Sequence, residues 1–252
     1  MRCVVKVGTS LIAPAGRIDT TRMRALVDQL DLAHHEYLIV SSGAIALGMS
    51  SLGLTARPES VIGMQACAAV GQSALMHTYE QLLFGKKVVA QLLLSSDDFT
   101  SSIRYKNLQN TLHELLKMGV LPIINENDSV SVHELEGAFG DNDELSALLA
   151  AAVKADWLLL LTDVDGFYTS SGKINRLLRT VQRLTPKMEA ECNGRGKLGR
   201  GGMRSKLRAA KLASQAGVSV GIANGSHPHV ISHAIQRKIG TYFPPQQSVS
   251  SK

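Results

Sequence analysis

Aromatic residues make up only 4% of this 252-residue chain, too few for the stacking platforms that hold single-stranded nucleic acid. Cysteine is scarce and scattered. Cys3, Cys67 and Cys192 have no spacing that reads as a metal site or a disulfide framework, which points to a reducing, cytoplasmic setting. No apolar run approaches the roughly 20 residues that a membrane span needs, and the N-terminal run is too short and interrupted for a signal peptide. Acids are missing altogether beyond Glu191. That gap removes one familiar motif. Residues 194–199 read G-x-G-x-x-G, but the acid that a dinucleotide site places about 20 residues later cannot occur, and the motif follows a helix-like stretch, Pro186–Glu191, instead of a strand. The G-x-x-x-x-G-K-[ST] loop and the H-R-D and D-F-G signatures of protein kinases are also absent. His34, His35, His77, His113 and His133 have neither ligand spacing nor triad partners and read as surface or satisfied core residues.

Hydrophobic residues at 44% and charged residues at 19% supply the core of an ordinary globular domain. The net charge of +6 hides an asymmetry. Twelve Lys or Arg stand between Lys173 and Lys211 against only Glu189 and Glu191, whereas Leu121–Ser170 carries ten acids and the single base Lys154. Such a split fits a nucleic-acid face, an anion site facing an acidic site, or plain solvated surface. The shortage of aromatics argues against the first.

Short apolar runs recur at Cys3–Val7, Tyr37–Val40, Val88–Leu94, Val120–Ile124, Trp157–Leu161 and Val218–Ile222. Longer helical patterns lie between them: Thr20–His35, opening at a capping-type Thr with Leu26, Leu30 and Ala33 on one stripe, then Met64–Phe84, Ile103–Met118, Asp141–Ala155 and Gly202–Ala216. Strands apolar on both faces, alternating with helices, predict an α/β domain with a mostly parallel sheet covered on both sides. Pro244–Lys252 reads as a disordered tail.

Ligands of such sheets bind at the carboxyl ends of strands. There the chain reads GTS (8–10), SSGA (41–44), NENDS (125–129), TDVDG (162–166) and ANG (223–225). Turns select these residue types anyway, but their convergence on one edge suggests a site. Lys6 asks for a reason of its own, because a buried ammonium is costly unless paired or used. In GRGGMRSKL (199–207), Gly201 and Gly202 open a helix whose free N–H groups suit phosphate, with Lys206 one turn in. The run Asp141-Asn142-Asp143 exceeds what a single helix cap requires and suggests recognition of an ammonium group or magnesium. Asn125 and Asp128 follow their strand directly, and Ser41 or Ser42 beside the Gly43 and Ala44 amides would suit a carboxylate or phosphate.

VVKVGTS, SSGAIALG, INENDSV, FGDNDELSA, LLTDVDG and GRGGMRSKL occur in an order that resembles the amino-acid kinase family across residues 3–243. NEND followed by FGDND resembles its glutamate-phosphorylating branch, as distinct from the acetylglutamate, aspartate, carbamate and uridylate kinases. The resemblance implies one kinase domain over residues 1–243. It is a three-layer αβα sandwich with a mostly parallel central sheet of about eight strands. It also implies ATP-dependent phosphorylation of the γ-carboxylate of L-glutamate to γ-glutamyl phosphate, the first step of proline biosynthesis, with ATP as co-substrate, Mg²⁺ as cofactor and proline as feedback inhibitor. A homo-oligomer, dimer or tetramer, goes with it, and neither nucleic acid nor membrane is a partner. Many relatives carry a further C-terminal domain of an RNA-binding type; the form expected here is the one without it.

Carried over residue by residue, Lys6 and Lys206 would stabilise the charge of the moving phosphoryl group. Asp143, and with it Asp141, would orient the lysines or hold water around Mg²⁺. Ser42, Asn125, Asp128, Asp141 and Asn142 would hold glutamate, with Asp128 suited to the ammonium and Ser42 to a carboxylate. Lys6, Gly8, Thr162, Asp163, Arg200, Gly201, Gly202, Met203, Arg204, Ser205 and Lys206 would hold the nucleotide, and no direct protein ligand to the metal is expected. Arg200 stands where the family usually has threonine. Two other classes stay open: an RNA-binding protein using the 173–211 basic segment, and a catalytically silent amino-acid sensor on the same fold.

Overall fold

Six apolar segments and one that the pattern does not reveal form the main sheet of the computed structural model, which describes residues 1–14, 17–130, 142–171, 174–191 and 202–246. In chain order the strands are β1 Arg2–Val7, β2 Glu36–Ser41, β3 Val89–Leu94, β4 Leu121–Glu126, β5 Trp157–Thr162, β6 Tyr168–Ser171, β7 Ile174–Leu177, β8 Ser219–Asn224 and β9 Thr241–Phe243. The helices are α1 Thr9–Ile12, α2 Thr20–Val27, α3 Ala44–Ser51, α4 Val61–Leu83, α5 Asp97–Thr100, α6 Ser102–Lys117, α7 Asn142–Ala152, α8 Pro186–Glu191, α9 Met203–Gln215 and α10 Val230–Ile235.

The sheet has seven strands in the order β3-β4-β2-β1-β5-β8-β9, close to the expected eight. All neighbours are parallel except β8 and β9. β6 and β7 form a separate antiparallel hairpin. Because side chains alternate across a strand, β1 sends Cys3, Val5 and Val7 to one face and Val4 and Lys6 to the other. The first face is closed by Met23, Leu26 and Val27 of α2, Leu75 and Tyr79 of α4, and Val230 and Ile231 of α10. The second is closed by Leu112 of α6, Leu149 of α7 and Leu207 of α9. Three layers result, with β1 in the middle of the sheet.

The helix expected over Thr20–His35 ends at Val27, and its cap is Asp19, which accepts from the Arg22 amide, in place of Thr20. Asp28, Asp31 and two histidines are poor helix formers. The Gln29 and Leu30 amides bond back to Leu26 and Val27 in a tightened last turn, and His35 N–H bonds to the Asp31 carbonyl. Ala33, read as part of the apolar stripe, is exposed. The other long helices lie where periodicity put them. Ser60 and Ser101 cap α4 and α6 through the amides of Gly63 and Arg104. In the stretch read as a tail, Gln246 N–H bonds to the Ser214 carbonyl; residues 247–252 lie outside the described residues.

Gly43 caps α3 at φ 104°, a left-handed conformation that turns the chain sharply out of β2. α3 and α4 then cross backbone to backbone. A β-carbon on Gly71 would lie 1.8 Å from the Ala44 carbonyl oxygen, and one on Gly48 would lie 1.7 Å from that of Cys67. This crossing brings the residue after Gly71 to the carboxyl edge of the sheet.

Candidate active site

β1 points Lys6 toward the α7–α9 face, where it is 4% exposed. Its ammonium lies 2.6 Å from Asp143 Oδ1, and the Lys206 ammonium donates to Asp143 Oδ2 at 3.0 Å. Asp143 is 0% exposed and Lys206 9%. Ser205 Oγ donates to the same Oδ2 at 3.3 Å, and Ser146 Oγ donates to the Asp143 carbonyl. Burial alone would raise the Asp143 carboxyl, but the two ammonium groups outweigh it and hold it below the ordinary carboxylate range. Every charge in this buried trio is paired, the condition for tolerating it. Within the trio two cations share one anion.

A second polar chain runs beside it. Asn142 Nδ2 donates to Ser42 Oγ at 2.8 Å and to Asn125 Oδ1 at 3.0 Å. Asn125 Nδ2 donates to Gln72 Oε1 at 2.9 Å, and the Glu126 amide donates to Asn125 Oδ1 at 2.9 Å. Ser41 and Ser42 face different ways. Ser41 turns into the core and shares a hydrogen bond of 3.0 Å with the Tyr79 hydroxyl, while Ser42 joins the site. Burial raises that tyrosine hydroxyl to about 12, its bond to Ser41 opposing the shift, so it stays protonated and available as a donor. Asp128 lies half-buried in the turn after β4.

On the far side of β1, Thr162 ends β5 and donates to Asp163 Oδ1 at 3.1 Å. The Gly225 amide bonds to the Thr162 carbonyl, and Asn224 Nδ2 donates to Asp165 Oδ1 at 3.0 Å. A β-carbon on Gly8 would meet only ordinary contacts, Leu161 O at 3.6 Å and Lys6 Nζ at 3.9 Å, so the protein itself does not demand glycine there. Gly202 precedes α9, with Met203 half-buried and Arg204 exposed in its first turn. Asp141, Arg200 and Gly201 lie outside the described residues.

The structure therefore gathers Lys6, Asp143, Lys206 and Ser205 in one cluster, and Ser42, Asn125 and Asn142 in another. Ser205, expected to hold nucleotide, is found on the Asp143 carboxylate. Asp143 and Asn142 sit in the first turn of α7, and their side chains bind other elements of the site. Gln72 was not foreseen. Its signal was available: it interrupts the buried stripe of Ala68, Leu75, Met76 and Tyr79 on α4, where packing alone would select an apolar residue. Among the described residues no group of three or more His, Cys, Asp or Glu could hold a metal ion, and no helix is long and apolar enough to cross a membrane.

Residues 1–224 match the amino acid kinase family. Glutamate 5-kinase of Clostridium acetobutylicum is 42% identical over 97% of this chain and 95% of its own length. Glutamate 5-kinase of Myxococcus xanthus is 44% identical over 98% of this chain and 67% of its own length. Among solved structures, the carbamate kinase of Giardia has a TM-score of 0.64 at 17% identity, covering 97% of this chain and 99% of its own. Isopentenyl phosphate kinase of T. acidophilum has a TM-score of 0.63 at 19% identity, covering 96% and 100%. These two likenesses concern the fold alone.

Proposed function

The chain belongs to the amino acid kinase family, and from that membership we infer that it transfers the terminal phosphoryl group of ATP to the γ-carboxylate of L-glutamate. The product is γ-glutamyl phosphate, and the reaction is the first step of proline biosynthesis. The observation that carries the reading at the level of this chain's own atoms is the buried Lys6–Asp143–Lys206 bridge.

Phosphoryl transfer depends on positioning and on neutralising charge as it spreads over the moving group. A γ-carboxylate oxygen attacks the terminal phosphorus, the bond from that phosphorus to the bridging oxygen breaks, and ADP leaves with the electron pair. The nucleophile is already ionised at neutral pH, so no general base is needed. Lys6 and Lys206 donate to the phosphoryl oxygens, and Asp143 keeps both ammonium groups charged and aimed. The absence of a β-carbon at Gly8 leaves room beside Lys6 for a phosphate. Thr162, Asp163, Arg200, Gly201, Gly202, Met203 and Arg204 bind the nucleotide. Ser42, Asn125, Asp128, Asp141 and Asn142 bind the amino acid, Asp128 through its ammonium. Magnesium would enter as MgATP and neutralise phosphate charge, and the protein's steps are those of its lysines and its carboxylate. Proline, which shares a carboxylate and a cationic nitrogen with glutamate, inhibits by overlapping the same site. The reading also includes a cytoplasmic location and a homo-oligomer.

The test is MgATP consumption across glutamate, acetylglutamate, aspartate, carbamate and UMP. Glutamate alone supports turnover, and hydroxylamine traps the acyl phosphate as a γ-hydroxamate. Turnover with acetylglutamate in place of glutamate would overturn the acceptor assignment and leave the fold untouched.

A further inference from the structure

One backbone N–H decides which way three side-chain amides face. The Glu126 amide can only donate, so the Asn125 atom 2.9 Å from it is the carbonyl oxygen, Oδ1. The Asn125 NH₂ then faces Gln72, which must present Oε1, at 2.9 Å. Because Asn125 Oδ1 also faces Asn142 at 3.0 Å, Asn142 must offer its NH₂ there. Turning any one of the three amides sets donor against donor or acceptor against acceptor.

Two atoms are left over. Gln72 Nε2 and Asn142 Oδ1 are buried and have no hydrogen-bond partner among the described residues. Buried polar groups are rarely left so, and each such group asks for an explanation. A leucine at position 72 would fill the stripe between Ala68 and Met76 without an orphaned donor. Ser42 Oγ accepts from the Asn142 NH₂ at 2.8 Å, so its hydrogen is directed elsewhere. The chain thus ends in an acceptor oxygen on Asn142 and a donor hydroxyl on Ser42, the pair an amino acid's ammonium and carboxylate call for.

We propose that Gln72 is a positioning residue of the acceptor site. The Glu126 amide sets which way Asn125 faces; Gln72, by accepting from the Asn125 NH₂, is the second anchor that holds this side chain in place against Asn142. The Asn142 oxygen so stays aimed at a cationic amine, which contributes to the preference for an amino acid over the dicarboxylic acid that lacks the amine. This rests on the reading of Ser42 and Asn142 as acceptor-binding residues. The close crossing at Gly71 and Gly48 is what lets a residue of α4 reach β4 for this purpose.

The experiment uses the full chain with MgATP, and glutarate as a competitive inhibitor against L-glutamate. Gln72→Leu removes the acceptor. Asn125 keeps its bond from the Glu126 amide but loses its second anchor, so the side chain that accepts from Asn142 is no longer held and the Asn142 oxygen is less firmly aimed. We expect the glutamate KM to rise ~10-fold, the size of one lost hydrogen bond, with the MgATP KM within about twofold. The glutarate inhibition constant stays level or falls, so the discrimination between the two ligands shrinks ~10-fold. Gln72→Met keeps the length of the side chain and fills the stripe but offers Asn125 no oxygen, and should repeat the Gln72→Leu changes in both constants. An unchanged glutamate KM in Gln72→Leu, or an equal rise in glutamate KM and glutarate inhibition constant, overturns the proposal. Should Gln72→Leu fail to fold, Gln72→Met decides alone, and an unchanged glutamate KM in it overturns the proposal. Wild-type protein that turns over MgATP with another acceptor and not with glutamate defeats the underlying acceptor reading, a result distinct from either.

Discussion

Lys6 and Lys206, from the first strand and the last long helix, bind opposite oxygens of the single Asp143 carboxylate at 2.6 and 3.0 Å. β1, α7 and α9 meet only in the folded chain.

On the proposed mechanism Lys6 meets charge that develops on the migrating phosphoryl, so Lys6→Ala should lower kcat and kcat/KM together. The expected loss is ~10²-fold or more, about 3 kcal/mol. Steady-state kinetics with both substrates varied checks it. A near-normal kcat with only the ATP KM raised would make Lys6 a binding residue.

Asp143→Asn leaves two buried ammonium groups without their carboxylate. Breaking a buried ion pair in this way costs about 3–5 kcal/mol, readable as a shift in the urea midpoint. The pH dependence has a definite sign. The folded-state carboxyl titrates below its unfolded value, so its contribution is complete above about pH 4 and disappears as the pH falls through the folded-state value. The gap between wild type and Asp143→Asn should narrow as the pH falls below about 4 toward the folded-state value. A gap that stays unchanged in acid would refute this.

Gly8→Ala should fold normally, since the added methyl meets nothing closer than 3.6 Å. It should still impair MgATP use, because that methyl sits 3.9 Å from the Lys6 ammonium, where a phosphate is placed by the proposed chemistry. Thermal melting and the ATP KM separate the two effects. An unchanged ATP KM would remove Gly8 from the nucleotide site.

Gly71→Ala is the contrasting case. Its methyl would collide with the Ala44 carbonyl at 1.8 Å and the Gly48 nitrogen at 2.4 Å. Forcing α3 and α4 apart should cost about 1–3 kcal/mol or more and, by moving Gln72, raise the glutamate KM. A variant as stable as wild type would show that the helices separate freely.

Asp128→Ala should raise the glutamate KM far more than it lowers kcat, and weaken inhibition by proline in parallel. Inhibition assays on the variant decide it: full proline sensitivity alongside lost glutamate affinity would mean two separate sites.

The alternation of apolar runs and helical patterns, the polar tips after each strand, and the oddity of a lysine in an apolar run were all legible in the sequence. These depend on local chemistry: side-chain periodicity, turn-forming residues and the cost of burying charge. The residue types that recur at the strand tips also pointed to one edge of a parallel sheet before any contact was known. The tertiary structure decided what local signals do not encode. It put β1 between β2 and β5 and added antiparallel β9. It sent Ser41 to Tyr79 and Ser42 to Asn142, and it brought Gln72 to Asn125. Which polar group meets which depends on strand order and on how closely two helices can cross, and those are set by packing both faces of the sheet at once.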